Sequence, residues 1–225
     1  MLDFYHTYNR GVEKRKIFSE DLDYLRAIHD LYEFNDIETV INVNQRFNGF
    51  RKPIKSEKRK ERLVDLGVWS LMPNHYHIFS SPIKDKGLTA FHKKFGAGFA
   101  NFFNTKYERS GALFQGRYKK VLVDNDAQAL QLICYIHANP LDLWKPNWKE
   151  KGLTSSEIKN ALKFLEGYRW SSHMDWWGIK NFPSLLDKSF MSRFFDNPEE
   201  YQKFFIDWLR YYEKNVQDIQ KIIME

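Results

Sequence analysis

Residues 62 to 81, "RLVDLGVWSLMPNHYHIFSS", constrain the fold more than any other part of the chain. Two runs rich in apolar and aromatic residues are separated only by the turn sequence Met-Pro-Asn, so they read as the two arms of a β-hairpin. Successive side chains of a strand point to opposite faces, which puts His75 and His77 on one face and Tyr76 on the other. Two imidazoles on one patch can hold a divalent ion if the rest of the chain supplies a third oxygen or nitrogen ligand and an open position.

The single cysteine, Cys134, excludes an internal disulfide and a thiolate cluster within one chain, leaving His, Asn, Gln, Asp and Glu as ligands. With 225 residues, 43% of them hydrophobic and 17% aromatic, there is enough apolar surface for one large domain, with or without an appendage. No apolar run approaches the roughly 18 residues of a membrane span, and the start "MLDFYHTYNR" lacks the apolar stretch of a secretion signal. A cytoplasmic location without membrane attachment is the expectation.

A net charge of +6 points to a polyanionic partner. Its distribution is uneven: residues 45 to 62 carry eight Lys or Arg against Glu57 and Glu61, an excess that equals that of the whole chain. This basic segment reads either as a solvated loop or as an arm that orders on nucleic acid.

Around the hairpin, "FYHTYNRG" reads as a strand followed by the basic turn "VEKRKIF". Ser19 is placed to cap a helix with Leu22, Leu25, Ile28, His29 and Tyr32 at helical spacing. "DIETVINVN" alternates like a strand or forms the approach to the basic segment. A helix follows the hairpin, with Leu88, Phe91, Phe95, Phe99, Phe102 and Phe103 as a core stripe. "GALFQGRYKKVLVD" gives a basic turn and a strand at about residues 117 to 123. The next helix has Asn125 and Gln128 as its capping box and Pro140 at its end. Along it Gln128, Gln131, Tyr135 and Asn139 stack on one side, with Ala127, Leu130, Cys134 and His137 on another. Asn197, Pro198 and Glu200 start a final amphipathic helix, striped by Tyr201, Phe204, Phe205, Trp208, Tyr212, Val216 and Ile219, that is expected to pack on the body or on a partner.

Five stretches in order, "YNRGVEKRKIF", "LMPNHYHIF", "GALFQGRYK", "CYIHANP" and "YRWSSH", resemble motifs of the REP-associated tyrosine transposases, within the single-tyrosine transposases of the HUH endonuclease superfamily. The resemblance, which covers roughly residues 4 to 175, implies an α+β, ferredoxin-like antiparallel sheet with packed helices over residues 1–180, beyond which 181–225 reads as a helical extension. It implies His75 and His77 as metal ligands, Tyr135 as nucleophile and Asn139 as third ligand. His137, two residues from Tyr135, falls on roughly the opposite side of the helix and is set aside. The cofactor implied is a divalent ion, Mg2+ or Mn2+. The partner implied is single-stranded DNA with hairpin structure, cut through a 5′-phosphotyrosyl intermediate and rejoined by a monomer or homodimer. Arg10, Lys14, Arg15 and Lys16, with Arg117, Lys119 and Lys120, are the expected contacts to backbone phosphate.

Two departures from the family pattern bear on substrate preference: the basic segment 45–62, which reads as an insertion, and the continuation "NPLDLW". Two other classes account for part of the pattern. A domesticated hairpin-DNA-binding protein would keep the fold without cutting, and a metal hydrolase using activated water would leave Tyr135 without a role.

Overall fold

Among the described residues, alternation along four strands sorts the apolar side chains into two cores, one on each face of a single sheet. The computed structural model describes residues 3–40 and 61–212. Strands β1 (Phe4–Arg10), β2 (Val64–Met72), β3 (His75–Pro82) and β4 (Lys119–Val123) pair antiparallel in the order β2-β3-β1-β4. Helix α1 (Asp21–Glu33) connects β1 to β2, and α2 (Gly87–Lys106) connects β3 to β4. This βαββαβ order is ferredoxin-like, and the fold is α+β.

One core lies between the sheet and these two helices: Trp69, Leu71, Tyr76 and Ile78 meet Ala27, Ile28 and Leu31 of α1 and Phe91, Phe95 and Phe99 of α2. Helix α3 (Asp126–Ala138) follows β4 and covers the opposite face. Behind it come α4 (Leu141–Trp144), α5 (Trp148–Lys151), α6 (Ser155–Gly167), α7 (His173–Trp176), α8 (Lys188–Met191) and α9 (Pro198–Arg210). The second core joins Val68, Phe79 and Val123 of the sheet to Leu132 and Ile136 of α3 and to Trp176, Phe190, Tyr201 and Trp208. The final helix thus packs on the body, where Trp208 Nε1 donates to Gln131 Oε1 at 2.6 Å.

A bulge changes which residues of β2 face each core. Its register with β3 shifts between Leu66 and Val68, so Leu66 joins the first core and Val68 the second. Gly67 sits at the shift beneath the Phe190 ring, where a Cβ would fall 2.1 Å from Phe190 Cδ1. The outer edge of β2 is covered by the "YRWSSH" segment. Leu71 N donates to Trp170 O at 2.9 Å, Ser172 N donates to Trp69 O at 3.0 Å, and Ser172 Oγ accepts from Trp69 N at 2.9 Å.

Several local expectations need correction. Glu20, not Ser19, caps α1, with the Asp23 carboxylate accepting from the Glu20 and Ser19 N–H groups. Leu22 is 37% exposed because Tyr24, Ala27, Ile28 and Leu31 set the buried face. Phe102 leaves the core stripe of α2 and lies half-buried with the Arg26 guanidinium 4.7 Å from its centroid. Strand β4 begins at Lys119 rather than Arg117.

Asn125 caps α3 through the Gln128 N–H, but Gln128 returns its bond to Asp124 N, one residue before the cap. Asn197 and Glu200 do the same at α9, with Asp196 N as the returned donor. The strand-like stretch beyond residue 40, most of the basic segment, and Val216 and Ile219 lie outside the described residues. No helix among the described residues is long and apolar enough to cross a membrane.

Candidate active site

Strand register decides which side chains share the histidine face. Across β1 and β3, Arg10 pairs with His75, Tyr8 with His77 and His6 with Phe79, and across β1 and β4, Lys119 pairs with Tyr8. His6, Tyr8, Arg10, His75, His77 and Lys119 therefore lie on one face. Tyr76 is buried in the first core, on the other face, as alternation requires. Lys120 also turns to that other face, where its ammonium lies 5.3 Å from the Tyr5 ring.

A cleft of about 260 Å³ opens on the histidine face, lined by His75, His77 and Tyr8 together with Arg10, Arg117 and Lys119. Three cationic side chains beside two imidazoles favour an anionic ligand such as a phosphodiester. Lys14, Arg15 and Lys16 do not line the cleft. They belong to the loop after β1, where Glu13 and Lys14 both adopt left-handed backbone with φ 57°. That loop clamps the β2–β3 turn: Gly11 N donates to Asn74 O and Ile17 N to Pro73 O, both at 2.8 Å. Lys14 and Lys16 are exposed, and Arg15 pairs with Glu13 at 3.7 Å.

The hydrogen bonds of the two histidines bear on which ring nitrogens face a ligand. His75 Nδ1 lies 2.6 Å from Asn74 Oδ1, and Asn74 Nδ2 donates to Lys14 O at 3.3 Å, which fixes the amide's orientation. An amide oxygen only accepts, so His75 carries its proton on Nδ1 and presents the Nε2 lone pair when neutral. His77 Nδ1 lies 2.9 Å from His6 Nε2, with both residues fully buried and their rings stacked at 5.2 Å. When His77 donates in that bond, its Nε2 carries a lone pair too. The sequence reading missed His6. The signal was present, since alternation in "FYHTYNR" puts His6 and Tyr8 on one face, but nothing local shows that β1 pairs with β3.

Helix α3 brings Tyr135 against this cluster. Its ring meets His77 edge-on at 6.1 Å and 87°, and it is 4% exposed. Asn139, at the C-cap of α3, donates its backbone N–H to Tyr135 O at 3.1 Å and is fully buried. Its Oδ1 accepts from Lys149 Nζ at 3.0 Å. The same ammonium donates to Asp142 Oδ2 at 2.9 Å and lies 5.0 Å from the Tyr135 ring centroid.

The nitrogen half of a divalent-ion site therefore fits, with His75 and His77 rings 5.0 Å apart and each Nδ1 hydrogen-bonded to a neighbour. The amide half does not fit in this arrangement, because the Asn139 oxygen is engaged by an ammonium. Among the described residues no group of three or more His, Cys, Asp and Glu side chains is placed to share an ion.

His137 points away from the cluster, as its position on the helix implies. Its Nε2 lies 2.8 Å from Ser172 Oγ and its Nδ1 2.7 Å from the Tyr201 hydroxyl, which is itself 2.8 Å from His173 Nδ1. Burial holds His137 well below the usual imidazole range and His173 down to about 3, so both rings are neutral and tie α3 to α7 and α9.

No protein-family model and no curated protein matches the chain. One solved structure to which it is similar is that of a REP-associated tyrosine transposase bound to a REP hairpin, at 12% identity and a TM-score of 0.43, covering 83% of this chain and 85% of that one. A likeness of that degree leaves the chemistry to be decided by the side chains.

Proposed function

We propose that this protein cuts and rejoins single-stranded DNA carrying hairpins, with Tyr135 as the nucleophile. The observation that carries the reading is the edge-on contact between Tyr135 and His77, which brings a phenol from α3 to the histidine pair beside a cationic cleft. A water-using hydrolase has no need of a phenol there.

In this reading Arg10, Arg117 and Lys119 hold the backbone phosphates in the cleft without selecting bases. His75 and His77 would hold a divalent ion, Mg2+ or Mn2+, and Asn139 would join them once its oxygen is released. When bound, the ion supplies neutralisation of charge on the scissile phosphate. The Tyr135 oxygen forms a bond to phosphorus as the bond from phosphorus to the 3′ oxygen breaks. The phenolic proton is lost and the departing 3′ oxygen takes one up. The product is a 5′-phosphotyrosyl strand and a free 3′-hydroxyl. Because the phosphotyrosyl ester retains an activated phosphate, an incoming 3′-hydroxyl reverses the step and joins strands without ATP.

The test incubates the protein with labelled hairpin-bearing single strands and Mg2+ or Mn2+, followed by denaturing electrophoresis. The wild type should form a covalent adduct, and Tyr135→Phe should lose adduct and cleavage together. Tyr76→Phe, in the opposite core, and Tyr118→Phe, stacked on His92 at 4.1 Å, should both retain the adduct. Cleavage by Tyr135→Phe with a free 5′-phosphate would make water the nucleophile. Tight hairpin binding by the wild type with no adduct under either ion would make the protein a binding module.

A further inference from the structure

Lys149 has no role in the function proposed above, yet it holds the atom that function needs. It sits on the short helix α5, which is anchored by the fully buried Trp148 packed on Tyr212 at 4.6 Å. From there its ammonium reaches the Asn139 oxygen, the Asp142 carboxylate and the face of the Tyr135 ring. The amide is not free to be read the other way round, because its NH2 group cannot accept from an ammonium. In this orientation Asn139 Nδ2 is buried without a hydrogen-bond partner among the described residues, so the side chain gives up one bond to keep the other.

The ammonium is also close enough to the histidines to matter electrostatically. The two ring contacts that link Lys149 to Tyr135 and Tyr135 to His77 place the charge within about 11 Å of the His77 ring, with the ammonium partly exposed and paired to Asp142. A divalent ion held by His75 and His77 would meet that charge.

We infer that Lys149 is the resident cation of this site: it fills the position on Asn139 that a divalent ion would use, so ion binding and the contact between Lys149 and Asn139 exclude one another. The inference rests on the metal-site reading of His75 and His77. Empty of metal, the site keeps its amide oxygen engaged. When an ion binds, the ammonium leaves Asn139 and remains with Asp142, which its flexible stem and 24% side-chain exposure permit. Lys149 thereby sets how tightly, and with how many protein ligands, the ion is held.

Titration calorimetry of Mn2+ into the full chain, with no DNA present, tests this. Lys149→Met keeps the stem and removes the charge, and should bind Mn2+ at least about tenfold more tightly than the wild type. Lys149→Arg retains a cation and should stay near wild-type affinity, as should Lys151→Met, an exposed neighbour on the same helix. Asn139→Ala should change affinity little in the wild type but weaken it about tenfold in the Lys149→Met background, where the amide is free to ligate. Equal or weaker Mn2+ binding by Lys149→Met overturns the inference while leaving the histidine site intact. So does an Asn139→Ala loss of the same size in both backgrounds, since Asn139 would then ligate with Lys149 in place. Absence of Mn2+ binding in every variant overturns both the inference and the metal-site reading, and is distinguishable from the other two results.

Discussion

Replacing His6 by Phe tests a buried contact that helps to orient His77. The substitution keeps an aromatic ring to stack on His77 and Tyr8, at 5.2 and 5.1 Å, but removes the nitrogen that faces His77 Nδ1 at 2.9 Å. Both histidines are fully buried, so water does not take over the lost bond. Loss of one partner in a buried pair costs about 1–3 kcal/mol. For a domain of this size, a central loss of about 2 kcal/mol lowers Tm by about 4–8 °C. The effect on ion binding should be larger in proportion, because an imidazole without its outer hydrogen bond is free to turn and to change tautomer, a loss of about 10–100-fold in affinity. Thermal unfolding gives the first quantity and Mn2+ titration the second. A variant that loses stability yet binds Mn2+ as the wild type does would reduce His6 to a packing residue. A variant unchanged in both would refute the reasoning outright.

The remaining predictions concern stability and DNA binding. His92, His137 and His173 are buried and held neutral, His92 and His173 with values lowered to about 3. Below about pH 6.5 the unfolded chain takes up these protons and the folded one does not, so stability present at neutral pH should fall on acidification by roughly 1 kcal/mol per pH unit for each histidine, read by urea unfolding between pH 7 and 5. Among the described residues both His92 ring nitrogens lack a hydrogen-bond partner, so His92→Phe should leave the protein as stable or more so at pH 7 and reduce that slope by one proton; an unchanged slope would count against the assignment. Gly67→Ala drives a methyl into the Phe190 ring and should destabilise by about 1–3 kcal/mol or more in the same urea assay. Arg10→Met and Arg117→Met should each flatten the salt dependence of single-strand binding by about one unit while Lys120→Met leaves ion-dependent cutting intact, because Lys120 faces away from the cleft.

By itself the sequence determined what is local. The hairpin from 62 to 81, the same-face placement of His75 and His77, the opposite placement of Tyr76, and the separation of His137 from the Tyr135 side of α3 all follow from periods of 2 and 3.6 that covalent geometry imposes on any strand or helix. The apolar stripe of α2 was legible for the same reason, apart from Phe102, whose neighbour Arg26 comes from another helix. Helix starts were legible to within a residue, since a side chain at a cap has several N–H groups within reach and the choice between Ser19 and Glu20, or between Asn125 and Asp124, turns on small differences in geometry. What only the tertiary structure decided is which distant groups meet. His6 reaches His77 because β1 pairs with β3, Lys119 joins the cleft and Lys120 does not because β4 pairs with β1 in one register, and Lys149 reaches Asn139 because Trp148 anchors a short helix in the second core. No periodicity encodes such contacts: they depend on strand register and on the packing of side chains far apart in the chain, and a shift of one residue in either would replace every partner in the site.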